Sequence, residues 1–120
     1  MKSILSLNDG NLVYRTIGKR HAETIFFCHS LGANQSLWDR QIEQLSDSYH
    51  IVSCDLRGHG ESDIFTTPYS IEIFARDILT LLDHLDIFSF HFVGLSLGSM
   101  IGLWLSCLLY TSDAADDQLG

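Results

Sequence analysis

The run Phe90-His91-Phe92-Val93 leads straight into Gly94-Leu95-Ser96-Leu97-Gly98, and an apolar stretch follows to Ser106. A strand that becomes a helix within so few residues forces the backbone through a strained turn and leaves the apical side chain exposed. Glycines on both sides remove side chains that would collide with the strand and the helix. The first amides of the helix point back at the apex, where they favour negative charge. Such a turn suits nucleophilic attack by Ser96 on a carbonyl carbon, with the backbone N–H of Leu97 donating to the developing oxyanion. Two other readings compete: a glycine-rich turn with a solvent-facing serine, and a degenerate dinucleotide loop. The dinucleotide loop needs G-x-G-x-x-G, and Ser96 occupies the place of its middle glycine.

The remaining segments frame that turn. Ser3–Leu7 and Leu12–Ile17 flank the turn cluster Asn8-Asp9-Gly10-Asn11, whose Asp-Gly pair predicts a hairpin. Thr24–Cys28 is a short continuous apolar run, as expected of a strand buried on both faces. Ser36 to Leu45 reads as a helix, with Trp38, Ile42 and Leu45 on one face. His50–Cys54 is a further strand and Asp55–Ser62 a glycine-rich loop. Ser70 caps a helix over Ile71–Leu85, with apolar residues at 71, 74, 78, 81, 82 and 85. Ser89–Val93 is the next strand and Leu97–Ser106 the last helix. After the hairpin, strands alternate with helices, which predicts an α/β fold: a doubly wound, mostly parallel sheet with an antiparallel N-terminal hairpin.

Composition narrows the function classes. The formal charge of −8, from 7 basic and 15 acidic side chains, comes without any basic cluster. Nucleic acids and anionic membranes both call for such clusters, so neither is an expected partner. The opening Met1–Leu7 is too short for a signal peptide, and no apolar stretch approaches the roughly 20 residues of a membrane span. Cys28, Cys54 and Cys107 lie in apolar contexts without CxxC spacing, and read as buried, reduced thiols of a cytoplasmic protein. In the loop Arg57-Gly58-His59-Gly60-Glu61-Ser62, a lone histidine beside Asp55 and Glu61 makes neither a metal site nor a phosphate loop. A structural turn, with Asp55 and Arg57 hydrogen-bonded to backbone, fits better, because buried charges are kept when paired. No cofactor or metal is expected.

The character of the chain changes after Ser106. Cys107-Leu108-Leu109-Tyr110-Thr111-Ser112-Asp113-Ala114-Ala115-Asp116 resembles a translated transposon-end sequencing adapter. The DNA TGT-CTC-TTA-TAC-ACA-TCT-GAC-GCT-GCC-GAC encodes it codon for codon. The alternative is a genuine acidic helix end, against which stands a charged run closing an apolar helix. The expected division is therefore 1–106, the N-terminal part of one domain, and 107–120, a non-native tail. Setting aside Asp113, Asp116 and Asp117 moves the charge from −8 to −5.

The blocks His29-Ser30-Leu31-Gly32, Trp38-Asp39-Arg40-Gln41-Ile42, Asp55-Leu56-Arg57-Gly58-His59-Gly60-Glu61-Ser62, Tyr69-Ser70-Ile71-Glu72 and His91 to Gly98 together resemble the α/β-hydrolase superfamily. Within it they are similar to the 3-oxoadipate enol-lactonases, over residues 1–106. Related esterases and acyltransferases share the Asp-x-Arg-Gly-His-Gly and GxSxG blocks, and a ligand-binding protein on the same fold is a further alternative. The resemblance implies a small ester or lactone substrate, an acyl-enzyme on Ser96, and no cofactor. It places the second oxyanion donor at the backbone N–H of Leu31, although Ser30 stands where the family has glycine. His29, Trp38 and Trp104 are the substrate-pocket candidates; for His29, orienting its loop by hydrogen bonds is the favoured alternative to acting as a base. In this fold the triad acid and histidine follow the serine. All six histidines, at 21, 29, 50, 59, 84 and 91, precede Ser96, and only Asp113, Asp116 and Asp117 follow it as carboxylates. The residues carry no statement about oligomeric state.

Overall fold

The computed structural model describes residues 2–66 and 68–112. The elements run β1 (Lys2–Leu7), β2 (Gly10–Gly18), β3 (Thr24–Cys28), a short 3-10 turn (Gln35–Trp38), α1 (Asp39–Leu45), β4 (His50–Cys54), α2 (Ile71–His84), β5 (His91–Gly94) and α3 (Leu97–Ser112). One five-stranded sheet has the order β1-β2-β4-β3-β5. β1–β2 and β2–β4 are antiparallel, while β3–β4 and β3–β5 are parallel. The parallel half, with a helix between successive strands, carries the strand–turn–helix at its edge.

Alternation along β3 divides the core. Phe26 and Cys28 join Leu12, Val52, Ile78, Leu81 and Ile101 in the larger cluster, beneath α2 and α3. Ile25 and Phe27 face the other way, against Ile51 and Ile42 of α1, with Trp38 and Leu45 packed around them. Strand side chains alternate between faces, so a strand buried on both must be apolar throughout. All five residues of β3 are buried.

Four sequence-level expectations shift. The hairpin turn is Asn8-Asp9, because Leu7 pairs with Gly10. Gly10 serves packing: a Cβ there would lie 2.9 Å from the Phe65 ring. The expected helix over 36–45 is a 3-10 turn followed by α1, entered through Asn34, whose side chain accepts from Ser36 N–H at 2.9 Å. The fifth strand starts at His91, two residues later than the apolar pattern suggests, because Phe90 is buried without pairing in the sheet. Cys107 is exposed, whereas Cys28 and Cys54 are buried as expected. α2 begins where predicted, with the Ser70 hydroxyl accepting from Ile73 N–H at 3.1 Å.

α3 continues through Ser106 without a break to Ser112, and Leu108 and Leu109 pack partly against the larger cluster. The remainder of the expected non-native segment, 113–120, lies outside the described residues. Among the described residues, no helix is long and apolar enough to cross a membrane. None of their His, Cys, Asp and Glu side chains form a group of three able to hold a metal ion.

Candidate active site

Ser96 has φ of 55°, in the left-handed region that only one other non-glycine residue, Asp86, adopts among the described residues. A side chain held there costs about 1–2 kcal/mol. Such strain persists only where the surroundings dictate the turn, and here the flanking glycines do so. A Cβ on Gly94 would lie 2.4 Å from the Gly98 carbonyl carbon, and a Cβ on Gly98 would lie 2.4 Å from the Cys28 carbonyl oxygen. All these obstacles are backbone, which cannot yield as a side chain can. The Ser99 hydroxyl also donates to the Gly94 carbonyl at 2.9 Å, clasping the turn. Ser96 itself is exposed, at the C-terminal end of the parallel strands.

The loop after β3 adjoins this turn. Cys28 pairs with Gly94 in the β3–β5 register, and Gly98 rests on the carbonyls of Cys28 and His29. The Ser30 carbonyl accepts twice: from His29 Nδ1–H at 2.7 Å and from Ala33 N–H at 3.1 Å. It belongs to the same trans peptide as the Leu31 N–H, and the two point in opposite directions. Pinning the carbonyl therefore aims the Leu31 amide away from His29. The Leu31 side chain is 74% exposed, so the loop apex is open.

His29 is wholly buried, and its Nε2 accepts from Leu56 N–H at 3.0 Å. That bond requires an Nε2 lone pair and places the proton on Nδ1, the tautomer that serves Ser30. Burial, the largest influence, pushes the His29 pKa below the ordinary imidazole value; the Ser30 hydrogen bond works in the opposite direction. His59 lies beside it, with ring centroids 5.0 Å apart. Expecting His29 to line a substrate pocket is thus corrected: both ring nitrogens are taken and no surface is left for a ligand.

The other two pocket candidates do not gather around Ser96 either. Trp38 packs on Phe27, with centroids 5.1 Å apart, in the cluster beneath α1. Trp104 is 40% exposed on α3, eight residues beyond Ser96 and so about 12 Å along the helix axis. Ser96 and Leu97 share the turn, which Cys28 and His29 abut at the start of the loop that carries Leu31; His29 is buried, and Trp38 packs in the cluster beneath α1.

A hydrogen-bond network that sequence reasoning only partly anticipated holds the loop from below. Asp55 accepts from Gln35 N–H at 2.8 Å and Glu61 N–H at 2.9 Å, joining the end of the Leu31 loop to the 57–62 loop. This is the backbone role expected of it. Arg57 forms a two-pronged ion pair with Asp77, at 2.7 and 2.8 Å, and stacks on Phe65 with its guanidinium carbon 4.0 Å from the ring centroid. Asp77 holds the Arg57 guanidinium even more firmly protonated than usual. Gln35 is buried, and its side-chain oxygen accepts from Ser53 at 2.7 Å and Arg15 at 3.0 Å. A glutamine four residues past an exposed loop gives no sequence sign of that burial.

The family model described as the alpha/beta hydrolase fold matches residues 23–112. The chain belongs to the α/β-hydrolase family. It is 39% identical over 105 residues to 3-oxoadipate enol-lactonase 2 of Acinetobacter baylyi, covering 88% of this chain and 39% of that protein. Over 83 residues it is 40% identical to an Agrobacterium fabrum protein described as a carbamate hydrolase, covering 68% of this chain and 32% of the other. Among solved structures, the enol-lactonase from Burkholderia xenovorans superposes with a TM-score of 0.83 at 34% identity, over 98% of this chain and 44% of that one. The chain thus spans between about a third and somewhat over two-fifths of the length of these relatives.

Proposed function

We propose that this chain is the N-terminal part of a serine hydrolase that opens carboxylic ester or lactone bonds, with the 3-oxoadipate enol-lactone as the substrate. The observation that carries this is Ser96 at φ 55°, exposed between glycines whose Cβ positions are blocked by backbone and abutting the His29–Leu31 loop. In the reaction, Ser96 Oγ bonds to the lactone carbonyl carbon while a base takes its proton. The Leu31 and Leu97 amides hold the oxyanion, and its collapse breaks the ring C–O bond, releasing the enol oxygen. Water then attacks the acyl-enzyme, Ser96 regains its proton, and the opened enol tautomerises to the keto acid. No cofactor enters this scheme.

The base and its acid partner belong to polypeptide after Ser96. Without a base a serine hydroxyl is a weak nucleophile, and only a small residual rate survives on oxyanion stabilisation alone. The 120-residue chain by itself is therefore inactive in this reading, and residues 107–120 are not native to the gene. Buried Cys28, its thiol pushed up to about 12 by burial, stays protonated and inert, which fits a reducing cytoplasm.

The test is covalent labelling of the full-length gene product with a fluorophosphonate, beside Ser96→Ala. Labelling of the parent alone supports the nucleophile, and equal labelling of both would sink it. The similarity to a carbamate hydrolase favours a second substrate class, so turnover of enol-lactone and of a carbamate should be compared on the same preparation. Labelling of Ser96 without turnover of any ester, lactone or carbamate would favour a binding protein.

A further inference from the structure

At the opposite end of the parallel strands from Ser96, about 13 Å away along β3, a cavity of about 740 Å³ opens between the β2–β3 turn and the α2–β5 turn. The first turn is held shut by Ala22 N–H donating to the Lys19 carbonyl at 3.0 Å and Lys19 N–H donating to Tyr49 at 2.9 Å. It presents Arg20 and His21 to the cavity. Half-buried His50 lies at the base, with Nδ1 3.3 Å from the Thr24 hydroxyl. Phe88, 66% exposed, stands on the far wall.

The charge arrangement is unusual for so acidic a chain. Arg15, Arg57 and Arg76 each pair with a carboxylate, whereas Arg20 has no ion pair among the described residues. The nearby Glu23 is committed to His91, whose Nε2 lies 2.6 Å from its carboxylate. Among the described residues, Asp86 is the one carboxylate lining the cavity. A guanidinium without an ion pair, in a cavity with a single carboxylate on its wall, attracts an anion. An arginine fork also matches a carboxylate or phosphate edge geometrically. We infer that this cavity is a second ligand site, separate from the Ser96 turn, that takes a small oxyanion between Arg20, His21 and His50. His50 feels the same field: its pKa is lowered by burial first and then by the charges of Arg20 and His21. A bound anion reverses the second of these influences.

The experiment is site-resolved modification of the arginines of this chain by phenylglyoxal, read by mass spectrometry at matched ionic strength. Inorganic phosphate and benzoate are the two probes and chloride is the reference. Arg40 is the internal control, since it too is exposed and without an ion pair among the described residues. Phosphate in about fourfold excess over its dissociation constant slows Arg20 modification about fivefold, with Arg40 unchanged. His50→Ala abolishes the protection, and Asp86→Asn strengthens it. Protection by phosphate assigns the site to a phosphate-like anion, and protection by benzoate alone assigns it to an organic carboxylate resting on Phe88. Equal rates at Arg20 and Arg40 with both probes, or protection unaltered in His50→Ala, overturns the proposal. Neither readout involves hydrolysis, so this inference and the role of Ser96 stand or fall separately.

Discussion

At the scale of single residues, the site is built from backbone. Gly98→Ala drives a methyl into the Cys28 carbonyl, and the expected loss is about 1–3 kcal/mol, measured by denaturant unfolding. Gly32→Ala meets nothing within 4 Å, so its cost of about 1 kcal/mol comes from its φ of 77° alone. Ser96→Gly removes strain and is expected to unfold within about 1 kcal/mol of the parent while losing all labelling. If Gly98→Ala proved as mild as Gly32→Ala, the close approach of α3 to β3 would be wrong. The acid limb of stability should report His29. Its folded pKa lies below its unfolded one, so the stability it contributes is complete above the unfolded value near 6.5 and is lost as pH falls from there through the folded value. His29→Gln keeps a donor and an acceptor without titrating. Its melting temperature should therefore fall less than the parent's between neutral and acid pH, and equal slopes would remove His29 from the account.

At the scale of elements, most of what the sequence implied is present, and the differences share a cause. Apolar runs mark burial, not hydrogen-bonded pairing. The fifth strand was expected from Ser89 because Phe90 is apolar, yet Phe90 is buried in the approach to the sheet. The hairpin slipped by one residue because Gly10 marks contact with Phe65, which is distant in sequence. The latch on His29 was only half legible: a loop-orienting histidine could be read from its position, but its partner Leu56 lies 27 residues away. α2 is legible to within one residue, ending at His84 with Leu85 as its cap, because its cap and periodicity are local. Ser70→Ala should cost about 1 kcal/mol, read from chemical unfolding. A larger effect is expected inside the same helix. Asp77→Asn leaves Arg57 without its two-pronged partner, and breaking a buried pair costs about 3–5 kcal/mol. A loss below that of Ser70→Ala would show that other contacts of Arg57 suffice.

At the scale of the whole molecule, the apolar surface is uneven. Val93, Leu95, Met100, Leu103 and Trp104 are all exposed, and all belong to the β5–α3 side. Among the described residues, β5 is also an edge strand with no strand paired on its outer side. Such an edge invites association. The 120-residue chain is expected to self-associate at micromolar concentration, and Leu103→Glu with Met100→Lys should reduce this in light scattering. A monodisperse parent would contradict the expectation. Genomic sequence around codon 106 would decide the status of the tail.

The seating of Gly98 on the carbonyls of Cys28 and His29 has a bearing on how such a site changes over generations. The approach of α3 to β3 at the turn is limited by main-chain atoms, not by the side chains at 30, 31, 95 and 97. Ser30 likewise holds its loop through its carbonyl, a main-chain atom that every residue type supplies. Substitutions around the turn can then change what is bound there without moving the backbone that holds Ser96.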